Sequence, residues 1–196
     1  MSRSFLQTSR TGAPDGAPFL VFHDRYQDLE DSEALGQSLS GDITRIAVRS
    51  PRAQAAGGSG LTKGYFWYIG PLERPELSTL GDGLYQLEVL VGETFERYGK
   101  RRIGLFGAGE GGILAILAGL IFPDMVRAVI ATDAPFPANF DLMPIETRDL
   151  DGLPVLLGGN NAAETQAILA ARGAKVTLAG DGVNSTLIAQ FLAANA

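Results

Sequence analysis

The chain has 196 residues, enough for one domain (1–196) with a sizeable core, and its 45% hydrophobic and 19% charged residues read as globular rather than disordered. A net charge of -6 argues against nucleic acid, whose phosphates call for a basic face, and the lack of cysteine excludes disulfides, thiolate catalysis and cysteine-ligated metals. No apolar run reaches the ~20 residues of a membrane span, and MSRSFLQTSR lacks a signal-peptide core, so the expected location is cytoplasmic.

Residues 4–10 alternate loosely and predict an edge strand, followed by a turn-rich connector over 12–18. FLVFH (19–23) is a short apolar run bounded by Pro18 and Asp24, typical of a central parallel strand. An amphipathic helix is predicted over 28–39, with Leu29, Ala34, Leu35 and Leu39 on one face, and a strand over 43–48. Residues 49–63 read as a glycine- and alanine-rich loop leading into Tyr65-Phe66-Trp67-Tyr68. Leu80, Leu84, Leu87, Val91, Phe95 and Tyr98 recur at helical spacing, and Gly99 ends that helix. A short β-favouring run (103–106) passes through a glycine cluster into an apolar helix (113–121) too oily to face water on any side. Beyond it come a strand (126–132), an irregular stretch (133–151) with Pro135, Pro137 and Pro144, and a strand (153–157). A helix (162–172) with Gly173 as its C-cap, a strand (175–179) and a helix (185–194) complete the chain. The alternation predicts an α/β fold: a mostly parallel sheet with helices on both faces, a three-layer sandwich.

The strand, glycine turn and helix over 101–120 put the turn at the carboxyl edge of the sheet, where α/β folds build their sites. Gly107, Gly109 and Gly112 spell G-x-G-x-x-G, and Asp133 ends the next strand where a dinucleotide site keeps its ribose-binding acid; this reading is a nucleotide-binding oxidoreductase. Nearly half the chain precedes the motif, whereas dinucleotide domains usually begin with it. Alternatively, Gly107-Ala108-Gly109-Glu110-Gly111 fits the nucleophile elbow G-x-S-x-G. Gly109 then stands in the serine slot, with no hydroxyl to attack.

The second reading extends along the chain. From about Pro18 onward PFLVFHD, RIAVRSP, GYFWYIG, GLFGAGEGGILA, LPVLLGGNN and RGAKVTLAGDGV follow one another in an order that resembles the phospholipase/carboxylesterase branch of the α/β-hydrolases, which includes bacterial carboxylesterases and acyl-protein thioesterases. PFLVFHD resembles that family's strand ending in His-Gly, RIAVRSP its next strand, and GYFWYIG its tryptophan-bearing segment. GLFGAGEGGILA is similar to the elbow and its helix, while LPVLLGGNN and RGAKVTLAGDGV resemble the strands that deliver the acid and the histidine. The resemblance implies an α/β-hydrolase fold and places the nucleophile at Gly109, the acid at Asn161 and the histidine near Val183. All three slots are vacant for serine-histidine-acid chemistry. It therefore implies a pseudoenzyme with a binding or regulatory role. The rival is an ester or thioester hydrolase with unorthodox residues, metal-assisted or based on His23.

The candidate ligand-pocket residues are His23, Asp24, Trp67, Gly109, Glu110 and Asp133. His23, the one histidine, is expected to be structural, hydrogen-bonded at the end of a buried strand. In the elbow geometry one oxyanion-hole amide belongs to Glu110 and the other to the loop around Asp24. Either both carboxylates flank the hole and oppose an oxyanion, or both point to solvent and leave their amides free. Asp24, Glu110, Asp133 and Asp181 together suggest a hard cation or a basic ligand, against the plainer expectation of solvated loop carboxylates. Trp67 is a pocket wall or core. Ser59 and Ser185 lie in no activating motif. No cofactor and no metal is expected; the candidate partners are a small-molecule or acyl ligand and a protein.

Overall fold

Phe19 and Val21 pack on one side of the sheet and Leu20 and Phe22 on the other, the alternation that a strand imposes. Both sides are covered, which is why this strand is apolar along its length. The computed structural model describes residues 4–180 and 182–195. In chain order the elements are β1 (Thr8–Gly12), β2 (Ala17–Phe22), α1 (Leu29–Gly36), β3 (Ile43–Val48), β4 (Arg52–Ala55), β5 (Thr62–Phe66) and α2 (Leu77–Arg97). They continue as β6 (Ile103–Ala108), α3 (Gly109–Ile121), β7 (Val126–Thr132), β8 (Pro154–Gly158), α4 (Ala162–Ala170), β9 (Lys175–Ala179) and α5 (Ser185–Ala193).

Seven strands form one sheet in the order β1-β3-β2-β6-β7-β8-β9, with β1 antiparallel to β3 and every other pair parallel. Residues of α2, α3 and α4 share a core with one face; Leu35 and Leu39 pack with α5 on the other. The result is the expected α/β sandwich. β6 lies between β2 and β7, so the elbow opens where the chain order of the sheet reverses direction. Among the described residues no helix is long and apolar enough to cross a membrane.

Helix α3 is buried from Gly109 to Leu120, the apolar core helix that its composition predicts. It starts four residues earlier than expected, because its glycines serve packing. A Cβ on Gly107 would stand 2.3 Å from the Gly111 backbone, one on Gly111 2.5 Å from the Phe22 and His23 carbonyl oxygens, and one on Gly112 2.7 Å from Ala134. Only bare backbone lets the helix start sit this close to the strands.

Three other expectations shift. The edge strand lies at 8–12 rather than 4–10, set by its pairing with β3. The loop expected over 49–63 contains β4, which pairs antiparallel with β5 as a separate ribbon. Helix α2 begins at Leu77 because Glu76 caps it, accepting the Thr79 and Ser78 amides at 2.8 and 3.0 Å. Those bonds, Thr79's first, hold the Glu76 carboxyl down at about 2.

Candidate functional site

Gly109 joins β6 to α3 with φ at +50°, the left-handed turn that an elbow requires and that glycine adopts without a Cβ penalty. The space above it is filled. An ideal Cβ on Gly109 would stand 2.0 Å from Oδ1 of Asp24, which follows β2. That oxygen accepts the Glu110 amide at 2.9 Å and the Arg25 amide at 2.7 Å. The N-cap residue of α3, Ala108, supplies no side-chain cap, so Asp24 caps the helix from a different loop, its charge set against the positive end of the helix. Two amides in the position of an oxyanion hole thus converge on the protein's own carboxylate. The same contact occupies the helix terminus where a dinucleotide's pyrophosphate would sit.

The Glu110 side chain is fully buried, contrary to the solvent-facing expectation. Arg25 donates to its Oε1 from Nη2 at 2.7 Å and from Nε at 3.1 Å. The Trp67 amide donates to Oε2 at 2.7 Å and the Tyr68 amide to Oε1 at 3.3 Å. Every partner is a donor, so the surroundings accommodate the ionised carboxylate; a carboxyl proton would meet only N–H groups. Burial pushes this carboxyl above its ordinary value, against the pull of the Trp67 amide and Arg25. On Arg25, burial works downward, and the hydrogen bonds and charge of Glu110 outweigh it, so the guanidinium is held more firmly protonated. Arg25 also donates to the Gly70 and Tyr68 carbonyls at 2.6 and 3.2 Å and lies 5.1 Å from the Tyr68 ring centre. Neither arrangement that the sequence suggests for the two carboxylates includes this arginine. The legible signal is a glutamate in an otherwise apolar helix, which requires a buried cation nearby.

His23 is a strut between β2 and β3. Its Nε2 accepts the Ser50 amide at 3.1 Å, so the hydrogen sits on Nδ1 and is donated to the Asp24 carbonyl at 2.6 Å. Its own amide donates to Ser32 Oγ at 2.9 Å, and that hydroxyl donates to the Val48 carbonyl. Both ring nitrogens are committed away from the Gly109 turn. Burial lowers the imidazole pKa below its ordinary 6.5, outweighing the Asp24 carbonyl and the charges of Asp31, Asp28 and Asp24. Below pH 6.5 the unfolded chain therefore takes up a proton that the folded chain refuses, and stability falls with pH by up to about 1.4 kcal/mol per unit. Above pH 6.5 both states are neutral and this dependence vanishes. Denaturant unfolding should show the decline below pH 6.5 in the wild type and a shallower one in His23→Gln; equal slopes would contradict it.

Asn161, exposed, stands at the N-cap of α4 without a side-chain cap bond. Val183 follows β9 and covers Gly158, whose added Cβ would meet it at 2.6 Å. Asp133, exposed at the end of β7 with φ at +51°, lies against Gly159. Trp67 is core: fully buried, edge-on to Phe22 at 5.9 Å, between the sheet and α2. Asp181 lies outside the described residues. Asp24 and Glu110 are engaged as above, and among the described residues no three His, Asp or Glu side chains are placed to share an ion.

No protein-family model and no curated protein matches the sequence. Solved structures do. A carboxylesterase from Bacillus cereus aligns with a TM-score of 0.73 at 14% identity, over 98% of this chain and 92% of that one. A carboxylesterase from Mesorhizobium loti aligns with a TM-score of 0.74 at 18% identity, over 96% and 94%. Acyl-protein thioesterase 2 from Zea mays aligns with a TM-score of 0.71 at 13% identity, over 96% and 98%. At these identities the likeness is one of fold. The chain has the α/β-hydrolase fold, in the form that carboxylesterases and acyl-protein thioesterases share.

Proposed function

We propose that this chain is a carboxylesterase-like α/β-hydrolase homologue without a working triad, a non-catalytic cytoplasmic protein that binds a small-molecule or acyl ligand or another protein. The observation that carries this reading is the Asp24 carboxylate, held by the Glu110 and Arg25 amides at the place where a nucleophile's side chain would project. Serine-type acyl transfer needs a nucleophile, a base, an orienting acid and amides free to receive an oxyanion. Gly109 offers no nucleophile, Val183 no base and Asn161 no charge. A carboxylate resting on the two amides opposes a second negative charge there. The His23-based rival needs a free ring nitrogen, and both of them are engaged. The test is turnover of p-nitrophenyl esters and acyl thioesters by the purified protein, with none expected above the uncatalysed rate.

A further inference from the structure

Strand β9 ends the sheet, and among the described residues no other strand pairs with its outer edge. Its inner edge is fixed by the Lys175 amide, which donates to the Leu153 carbonyl at 3.0 Å. Backbone groups alternate along a strand, so residues 175, 177 and 179 turn theirs to β8, while Val176 and Leu178 each present an amide and a carbonyl to the outside. Side chains alternate as well. Val176 packs with the core on the α4 side, which puts the 41% exposed Leu178 on that side too, and Ala179 joins the core on the α5 side. An open edge of this kind is a template for another strand, and proteins usually blunt it with proline, a bulge or charge. β9 has no proline, no acid and no register shift against β8. Its one charge, Lys175, is drawn off to Asn195, whose Oδ1 accepts from Nζ at 2.9 Å. The opposite edge differs, since β1 carries an exposed Arg10 at its centre and no hydrophobic side chain. The helices beside β9 are also poor in charge: α5 carries no charged side chain and α4 only Glu164, in a chain that is 19% charged. Ala163, Ala167 and Ala170 on α4 and Ala189 and Ala193 on α5 are exposed. Such short, uncharged side chains leave little to desolvate and let a neighbour come close.

We propose that β9 pairs antiparallel with β9 of a second copy of this chain, about a two-fold axis at Thr177, joining the two sheets into one. In that register the outward residues meet each other. Val176 stands opposite Leu178 of the other copy, twice by symmetry, and each such pair exchanges both hydrogen bonds. The same pairs bring apolar side chains together on the α4 side, Thr177 meets Thr177 on the α5 side, and Lys175 faces Ala179, so no like charges are opposed. A stable dimer buries roughly 1,200–2,000 Å², more than two short strands supply, so α4 and α5 must also approach their copies across the axis, as their side chains permit. The proposal is independent of the elbow and of whether the chain turns over esters. Sedimentation equilibrium of the wild type and Leu178→Pro, with residue-resolved amide hydrogen exchange, tests it. Leu178→Pro removes an outward donor, which the dimer loses twice, and removes no bond to β8. The wild type is expected to follow a monomer–dimer equilibrium, and Leu178→Pro to raise its dissociation constant at least about tenfold. The wild-type Val176 and Leu178 amides should exchange more slowly as protein concentration rises, while those of Lys175, Thr177 and Ala179, bonded to β8, stay protected throughout. This exchange pattern decides the matter even if Leu178→Pro folds poorly. A monomer at every concentration, a dimer whose Val176 and Leu178 amides exchange as fast as the monomer's, or an open-ended series of larger assemblies would overturn the proposal.

Discussion

Arg25→Ala is expected to cost about 3–5 kcal/mol of unfolding free energy, the largest effect of any single side-chain removal around the elbow. The cost comes from what remains. Glu110 is fully buried, and among the described residues Arg25 alone brings it a positive charge. Two backbone amides cannot offset a desolvated carboxylate alone. Adding Glu110→Gln should restore at least half of the loss, because an amide oxygen in the place of Oε2 still accepts the shorter bond, from the Trp67 amide, and no buried charge is stranded. Urea denaturation of the two variants and the wild type measures both quantities. A single-variant cost under about 1 kcal/mol would mean that water reaches Glu110 and that the pair is a surface ion pair in energetic terms.

Asp24 and Gly109 should prove strongly coupled. Gly109→Ser places a residue with a Cβ at a φ of +50°, a cost of about 1–2 kcal/mol. Its Cβ also takes the position of Asp24 Oδ1, forfeiting charge-assisted bonds worth about 1.5–3 kcal/mol. From the turn alone Gly109→Ser looks mildly destabilising; the displaced carboxylate raises the expected loss to about 3–4 kcal/mol. In an Asp24→Gly background only the backbone cost is left, so the double-mutant cycle should show a coupling of about 2 kcal/mol. Additivity within about 0.5 kcal/mol would place the carboxylate elsewhere in solution.

The parts of this molecule that were legible in the sequence are those decided locally. Strands 43–48, 126–132 and 175–179 match the structure because each is a short β-favouring run with turn residues beside it. Gly109 was recognisable as an elbow residue because strand, turn and helix are contiguous. The β4–β5 ribbon was hidden by its composition, since the alternation of Arg52-Ala53-Gln54-Ala55 has only alanine on one face and polar side chains on the other, with no hydrophobic stripe to mark a strand. The start of α3 was hidden because glycines read as a turn, and only their contacts with Phe22, His23 and Ala134 reveal them as packing residues. The pairing of Arg25 with Glu110 spans 85 positions in sequence and depends on β2 lying beside β6. The direction of the Asp24 side chain depends on the same neighbour relation. Charge type alone suggested an acidic mouth; the topology turned one carboxylate into a helix cap and the other into half of a buried pair.

We propose that this elbow, closed by its own carboxylate, performs no acyl transfer, a proposal open to direct assay. Its most direct test is steady-state hydrolysis of an acyl thioester by wild type, His23→Ala, and a repaired variant carrying Asp24→Gly, Gly109→Ser, Asn161→Asp and Val183→His. Wild type and His23→Ala should be indistinguishable from the buffer blank. Any activity should appear only in the repaired variant, since single replacements recover little of a machinery whose parts act together. Saturable turnover by the wild type that His23→Ala abolishes would overturn this proposal and make the chain a working hydrolase with an unorthodox base.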